Sequence, residues 1–203
     1  MHCKSGKHII VGRTSRTTMK GIQCLHCAFP SYPVIIIDYD DIINHPLYTQ
    51  HNNTTALPLH LKSMCSMGGD NHILLGGTPY ASIIQQLIQR PRPNLILRPL
   101  KSDLRTPKDS DSNSSSDNDY IFTHLPDEVS AANVLYINDT IIRRTNKEFP
   151  LSEAIFRTGQ FSGSGSQFSG SGTSATTTQI QVEASELAKV DGALTCCSLL
   201  LKY

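Results

Sequence analysis

The sequence predicts an α/β fold built from repeated strand-strand-helix-strand modules, not one continuous doubly wound sheet. Two observations carry this. Short β-branched apolar runs alternate with amphipathic stretches of helical period, and the order β-β-α-β occurs twice along the chain. A length of 203 residues is enough for a single domain, residues 1–203, with a real hydrophobic core.

His8 to Gly12 (HIIVG) is a short apolar run closed by glycine, which predicts a buried strand. From about Thr17 to Phe29, Ile22, Leu25 and Phe29 recur at helical spacing until Pro30 and Pro33 end the pattern. Val34 to Asp38 (VIIID) is almost wholly apolar and β-branched, which suits a strand covered on both faces. Between Leu57 and Thr78, two apolar runs are joined by Gly68-Gly69-Asp70-Asn71, a hairpin signal. Ala81 to Gln89 predicts a short amphipathic helix closed by Pro91 and Pro93, and Asn94 to Leu97 the strand completing the first β-β-α-β unit. In the second unit, Asn133–Ile137 and Thr140–Arg143 flank Asn138-Asp139, Ser152–Arg157 is helical in pattern, and Gln179–Val182 is the last strand.

Two polar inserts interrupt this order. Residues 101–123 contain DSDSNSSSDND, whose acidic groups repel each other and which has no apolar side chain to offset the entropy of ordering. Residues 158–178 contain QFSGSGS followed at once by QFSGSGT, a tandem repeat of linker composition. Both predict disordered loops between a helix and the next strand.

A net charge of +1 gives no electrostatic footprint for nucleic acid or an anionic membrane surface. No apolar run approaches the roughly eighteen residues of a membrane span, and the N-terminal MHCKSGKH is too polar for a signal peptide. Six cysteines without an export signal read as reduced thiols in a cytoplasmic protein.

The run Val190-Asp191-Gly192-Ala193-Leu194-Thr195-Cys196-Cys197-Ser198 is the strongest chemical signal. If it is a strand, alternation sends Cys196 and Cys197 to opposite faces, so one can be a nucleophile while the other packs. His60, in Leu59-His60-Leu61-Lys62-Ser63, is the candidate acid/base partner. Read as a strand, this segment puts His60, Lys62 and Met64 on one face, and a kink at its end lets His60 and Ser63 converge. Cys24-Leu25-His26-Cys27 has the spacing of two zinc ligands, but no second pair follows and the segment has helical periodicity.

LHLKSMCSMGGDN (Leu59 to Asn71), LPDEVSAAN (Leu125 to Asn133) and SELAKVDGALTCCS (Ser185 to Ser198), in this order, resemble the C-terminal part of the dimethylarginine dimethylaminohydrolase family; Ser15-Arg16-Thr17-Thr18-Met19-Lys20-Gly21 is similar to its arginine loop, more loosely. The resemblance covers most of the chain apart from the inserts. It implies the guanidino-group-modifying superfamily and a partial α/β-propeller, with about three of the family's five ββαβ modules around the active site. By the same resemblance, Cys196 attacks the guanidinium carbon of an Nω-methylated L-arginine and His60 protonates the departing amine. His60 then activates the water that releases citrulline. Arg16 pairs with the substrate carboxylate. Ser63 and the backbone of Val190 and Asp191 line the pocket. No cofactor is required, and the family's cysteine is one that binds inhibitory zinc.

The chain departs from the family at its N-terminus, where roughly two modules have no counterpart. Those modules hold the acidic residues that grip the guanidinium and orient the histidine, and no carboxylate of this chain matches them. Two functions are therefore expected as alternatives: a methylarginine hydrolase, or a non-catalytic fragment or degenerate homologue that binds a ligand or partner without turnover. Metal or redox chemistry at the cysteines is the weaker third.

Overall fold

In a computed structural model, described for residues 8–50, 57–77, 80–98, 120–158, 178–190, 192–196 and 198, the chain folds as three small mixed sheets of three strands each. The first begins with β1 (Ile9–Arg13), crosses through α1 (Met19–Ala28) and returns as β2 (Val34–Asp38). β1 and β2 are parallel, with Ile9 opposite Val34 and Arg13 opposite Asp38. Thr18 caps α1 by accepting a hydrogen bond from the Gly21 N–H at 3.3 Å.

β2 is buried along its whole length because the sheet presents apolar side chains to both sides. Alternation sends Ile35 and Ile37 into one core with Ile10, and Val34 and Ile36 into another with Ile9, Ile22 and Leu95. The Asp38 carboxylate then accepts from the Asp40 N–H at 3.2 Å and starts α2 (Tyr39–Ile43), which is followed by α3 (Pro46–Gln50).

The second sheet starts with β3 (Cys65–Met67) and β4 (His72–Leu75), an antiparallel hairpin closed through the predicted Gly68-Gly69 turn. α4 (Tyr80–Gln89) follows, with Ile83, Ile84 and Ile88 fully buried. The next strand, β5 (Ile96–Leu97), does not complete this sheet as the sequence order suggests. It pairs antiparallel with β2 in the first sheet, because Leu95 beside it is drawn into the core formed by Val34 and Ile36. The strand that completes the second sheet is β6 (Ile121–His124), parallel to β4. Residues 120–123, assigned from sequence to the first insert, are thus ordered: Tyr120 is buried in the main core and its neighbours form a strand. Positions 101–119 lie outside the described residues.

The third sheet repeats the plan. β7 (Leu135–Ile137) and β8 (Thr140–Arg144) form a hairpin, α5 (Glu153–Arg157) crosses over, and β9 (Thr178–Val182) returns parallel to β8. Asn138 and Asp139 turn the hairpin with φ of 46° and 58°, the left-handed pair a two-residue turn requires. Thr158 caps α5 and Thr178 opens β9, while the rest of the second insert, 159–177, lies outside the described residues. A last short helix, α6 (Ser185–Ala188), was not signalled by periodicity.

β4 divides two cores as β2 does: Ile73 and Leu75 face the large core shared with the first sheet, and Leu74 faces the core shared with the third. Among the described residues no helix is long and apolar enough to cross a membrane. At the end of β4, the 3₁₀ turn Val129–Ala132 lies against Gly76 and Gly77. A Cβ on Gly76 would stand 2.1 Å from the Val129 carbonyl oxygen, and Gly77 has a φ of +74°. Gly76→Ala should therefore cost on the order of 3 kcal/mol, read as a lowered denaturation midpoint at unchanged slope.

Candidate active site

The segment after residue 57 is not the strand that alternation suggests. Leu61–Ser63 is a 3₁₀ turn, with the Ser63 N–H donating to the His60 carbonyl at 2.9 Å and the Met64 N–H to the Leu61 carbonyl at 2.9 Å. The reason lies in the core. Leu61 and Met64 are both buried in the large cluster, and only a period of three sends both of them inward. His60 and Lys62 are left exposed on the other side.

Cys196 also sits on a turn and not on a strand. The Gly192 N–H donates to the Leu187 carbonyl at 2.8 Å, ending α6, and the Cys196 N–H donates to the Ala193 carbonyl at 3.0 Å. Leu194 is buried and anchors the turn, while Cys196 is a free, exposed thiol. The Thr195 N–H is also taken by a side chain and not by a neighbouring strand: it donates to Oδ1 of Asn133 at 3.1 Å.

Cys196 and His60, far apart in sequence, line one cavity of about 270 Å³ together with Thr195, Lys62, Leu59 and Thr14. His60 also borders a second cavity of about 350 Å³, with Ser63, Asn133, Arg144 and Gly192. The 3₁₀ turn thus places His60 and Ser63 on the wall of one cavity. A third cavity, of about 540 Å³, adjoins through Thr14 and Leu59 and holds Arg13, Asp38 and Asp40.

The remaining site candidates divide. Arg16 is exposed at the tip of the tight turn between Thr14 and Thr17, where its N–H donates to Thr14 Oγ1 at 3.0 Å. It lines none of these three cavities, whereas Arg13, paired with Asp38, lines the largest. Val190 is 77% exposed and also lines none of the three. Asp191 and Cys197 lie outside the described residues. Cys24 and Cys27 are exposed on α1, and among the described residues no group of three or more His, Cys, Asp and Glu side chains is placed to hold a metal ion.

Asn133 is the residue that sequence reasoning missed. It is 1% exposed, and its Nδ2 donates to the Lys62 carbonyl and to Thr195 Oγ1, each at 3.0 Å. The available signal was an amide embedded in an apolar run, Ala131-Ala132-Asn133-Val134-Leu135. A buried carboxamide must find partners.

Comparison with solved structures follows this geometry. A cysteine-to-serine variant of dimethylarginine dimethylaminohydrolase (DDAH) from Pseudomonas aeruginosa, in complex with citrulline, matches at a TM-score of 0.54 and 18% identity, over 96% of this chain and 51% of that one. The three sheets match about half of DDAH's propeller-like fold. A dimethylarginine dimethylaminohydrolase adduct with 4-chloro-2-hydroxymethylpyridine matches at 0.52 and 19%, over 96% and 53%. The chain therefore spans about half the length of the DDAH chains it matches. No protein-family model matches it.

Arg144 is held in the second cavity by Glu148, which accepts from Arg144 Nε at 3.0 Å and from the Ala184 N–H at 3.3 Å just before α6. Burial pushes the Glu148 carboxyl up, but the Arg144 guanidinium and the backbone N–H groups of Ala184 and Thr145 outweigh it and hold it below its ordinary value of 4.5. A carboxyl depressed in the folded state stabilises fully above its unfolded pKa, and this is lost as the pH falls through the folded value. Glu148→Gln should lower stability by about 1–2 kcal/mol at neutral pH. The difference from wild type should shrink below pH ~4, read from thermal unfolding at several pH values.

Proposed function

We propose that this chain carries the reacting pair of an amidine hydrolase that converts Nω-methylated L-arginine to L-citrulline and methylamine or dimethylamine. The observation that supports the reading is the shared cavity of Cys196 and His60, within a fold similar to half of DDAH. The citrulline bound to the Pseudomonas protein supports a small amino acid as the ligand here.

In this scheme the Cys196 thiolate adds to the guanidinium carbon, and the C–N bond to the methylated nitrogen breaks as His60 gives that nitrogen its proton. The carbon remains on sulfur as a thiouronium. His60, now neutral, takes a proton from water; the hydroxide adds to the carbon, the C–S bond breaks, and citrulline and thiolate are released. Arg16 would pair with the substrate carboxylate, with Ser63 and the backbone of Val190 and Asp191 near the substrate. No cofactor enters. A zinc ion bound at Cys196 would inhibit by occupying the thiolate, with His60 as a second protein donor.

One observation favours the second reading, a homologue that binds without turnover. None of the described residues lining the Cys196 cavity is an aspartate or glutamate, and Lys62 adds a cation to its wall. A guanidinium leaving water for such a place lacks its anionic partner, which is costly. Asp38 and Asp40 stand only in the adjoining cavity.

Citrulline formation from dimethylarginine by the purified chain separates the two. The hydrolase reading expects release of citrulline and dimethylamine in equal amounts, lost by about a thousandfold in Cys196→Ser and retained in Cys197→Ser. Equal loss in both folded variants would refute Cys196 as the nucleophile, and no turnover by the wild-type chain would leave the binding homologue.

A further inference from the structure

We infer that Asn133 is the positioning residue that sets Cys196 against His60, gripping the turn of each with one end of its carboxamide. This rests on reading Cys196 and His60 as the reacting pair.

Each turn is a short irregular segment outside the sheet ladders, closed by Ser63 to His60 and Met64 to Leu61 in one and by Cys196 to Ala193 in the other. Leu61 and Met64 anchor the first in the large core, where the Gly76 N–H also donates to the Met64 carbonyl at 2.8 Å, and buried Leu194 anchors the second. Among the described residues, the hydrogen bonds joining one turn to the other all pass through Asn133. Its Nδ2 donates to the carbonyl of Lys62, two residues past His60, and its Oδ1 accepts the N–H of Thr195, the residue before Cys196.

The partners also fix which way the amide faces. A carbonyl can only accept and a backbone N–H can only donate, so Nδ2 must face Lys62 and Oδ1 must face Thr195. Thr195 Oγ1 takes the second Nδ2 hydrogen at 3.0 Å, leaving the carboxamide with three partners. A side chain 1% exposed and so fully engaged has one orientation open to it.

Asn133 is itself held from below. The Ser66 hydroxyl in β3 donates to the Ala132 carbonyl and accepts the Val134 N–H at 3.2 Å, bracketing Asn133 in the chain. The grip is thus referred to the second sheet and through it to both large cores. Nucleophile and acid/base group on separate turns are useful only if their separation is kept within a fraction of an ångström.

The test is a double-mutant cycle on the reactivity of Cys196. Its rate of alkylation by iodoacetamide is read by peptide mass spectrometry in wild type, His60→Ala, Asn133→Ala and the double variant. The exposed Cys24 and Cys27 serve as internal references. In wild type at neutral pH, His60→Ala should slow alkylation of Cys196 by roughly five- to tenfold, because it removes the group that takes the thiol proton as sulfur attacks. With Asn133→Ala, folded by circular dichroism, the same change should have less than about a twofold effect, while Cys24 and Cys27 react as before. Coupling that survives Asn133→Ala, or is missing from the wild type, overturns the proposal.

If Asn133→Ala does not fold, Thr195→Val decides. It removes only the hydroxyl partner from a half-buried position, and should reduce the coupling; unchanged coupling counts against the proposal. Citrulline formation is assayed in parallel. Coupling lost without any turnover in wild type would keep the positioning role and dismiss the hydrolase. Turnover with coupling indifferent to Asn133 would do the reverse.

Discussion

The rest of the molecule depends on strands that are buried on both faces. β2 and β4 each divide their side chains between two cores, so no sheet is independent of the next. Ile73, Leu74 and Leu75 are each fully buried, although successive residues point in opposite directions. This is possible only where apolar layers lie on both sides. The hydrophobic term favours the layered arrangement because the inner strands leave water completely, at about 25 cal/mol per Å² of apolar surface. The site inherits this rigidity: the 3₁₀ turn that leads to Asn133 packs on the end of β4, and the turn that carries His60 is pinned by Leu61 and Met64 in the large core.

Most of the fold was legible in the sequence because periodicity and turn chemistry agree over its regular parts. Val34–Asp38 reads as a doubly covered strand, and Asn138-Asp139 and Gly68-Gly69 mark the hairpins. Partner choice was not legible. Ile96–Leu97 has the look of the next strand in order, yet it joins β2, and the true partner of β4 comes after a polar insert. Local composition says that a segment is extended; it does not say which edge will accept it. The segment that holds Leu61 and Met64 failed for another reason. Apolar residues three apart within a few positions fit a strand end or a 3₁₀ turn equally well, and tertiary burial chose the turn.

The candidate site residues came from motif and not from geometry. His60 and Cys196 were identified from similarity of the surrounding residues, and the shared cavity brings their two turns to one place. Their immediate backbone was misread as strand because alternation counts side chains and ignores where the N–H groups go. The Thr195 N–H goes to a side chain and the Cys196 N–H back to Ala193, so neither joins a ladder. Cavity-lining arginine is a similar case: Arg13 and Arg16 are equivalent by type, but Arg16 sits exposed on the tight turn between Thr14 and Thr17 and lines none of the three cavities.

The pairing of β4 with β6 has a consequence in time. His72 and Thr123, hydrogen-bonded across these strands at 2.6 Å, are 51 residues apart in sequence. A chain made from its N-terminus holds the β3–β4 hairpin long before the strand that completes its sheet exists. A lone two-stranded hairpin is marginal in water, and closing so wide a loop raises the contact order and slows folding. Loop-closure entropy grows only logarithmically, about 0.6 kcal/mol for each doubling, so the intervening polar segment adds little to the equilibrium cost. What it lengthens is the interval in which one edge of the middle sheet stands open, and that interval is when nascent chains are most exposed to misassociation and to chaperones.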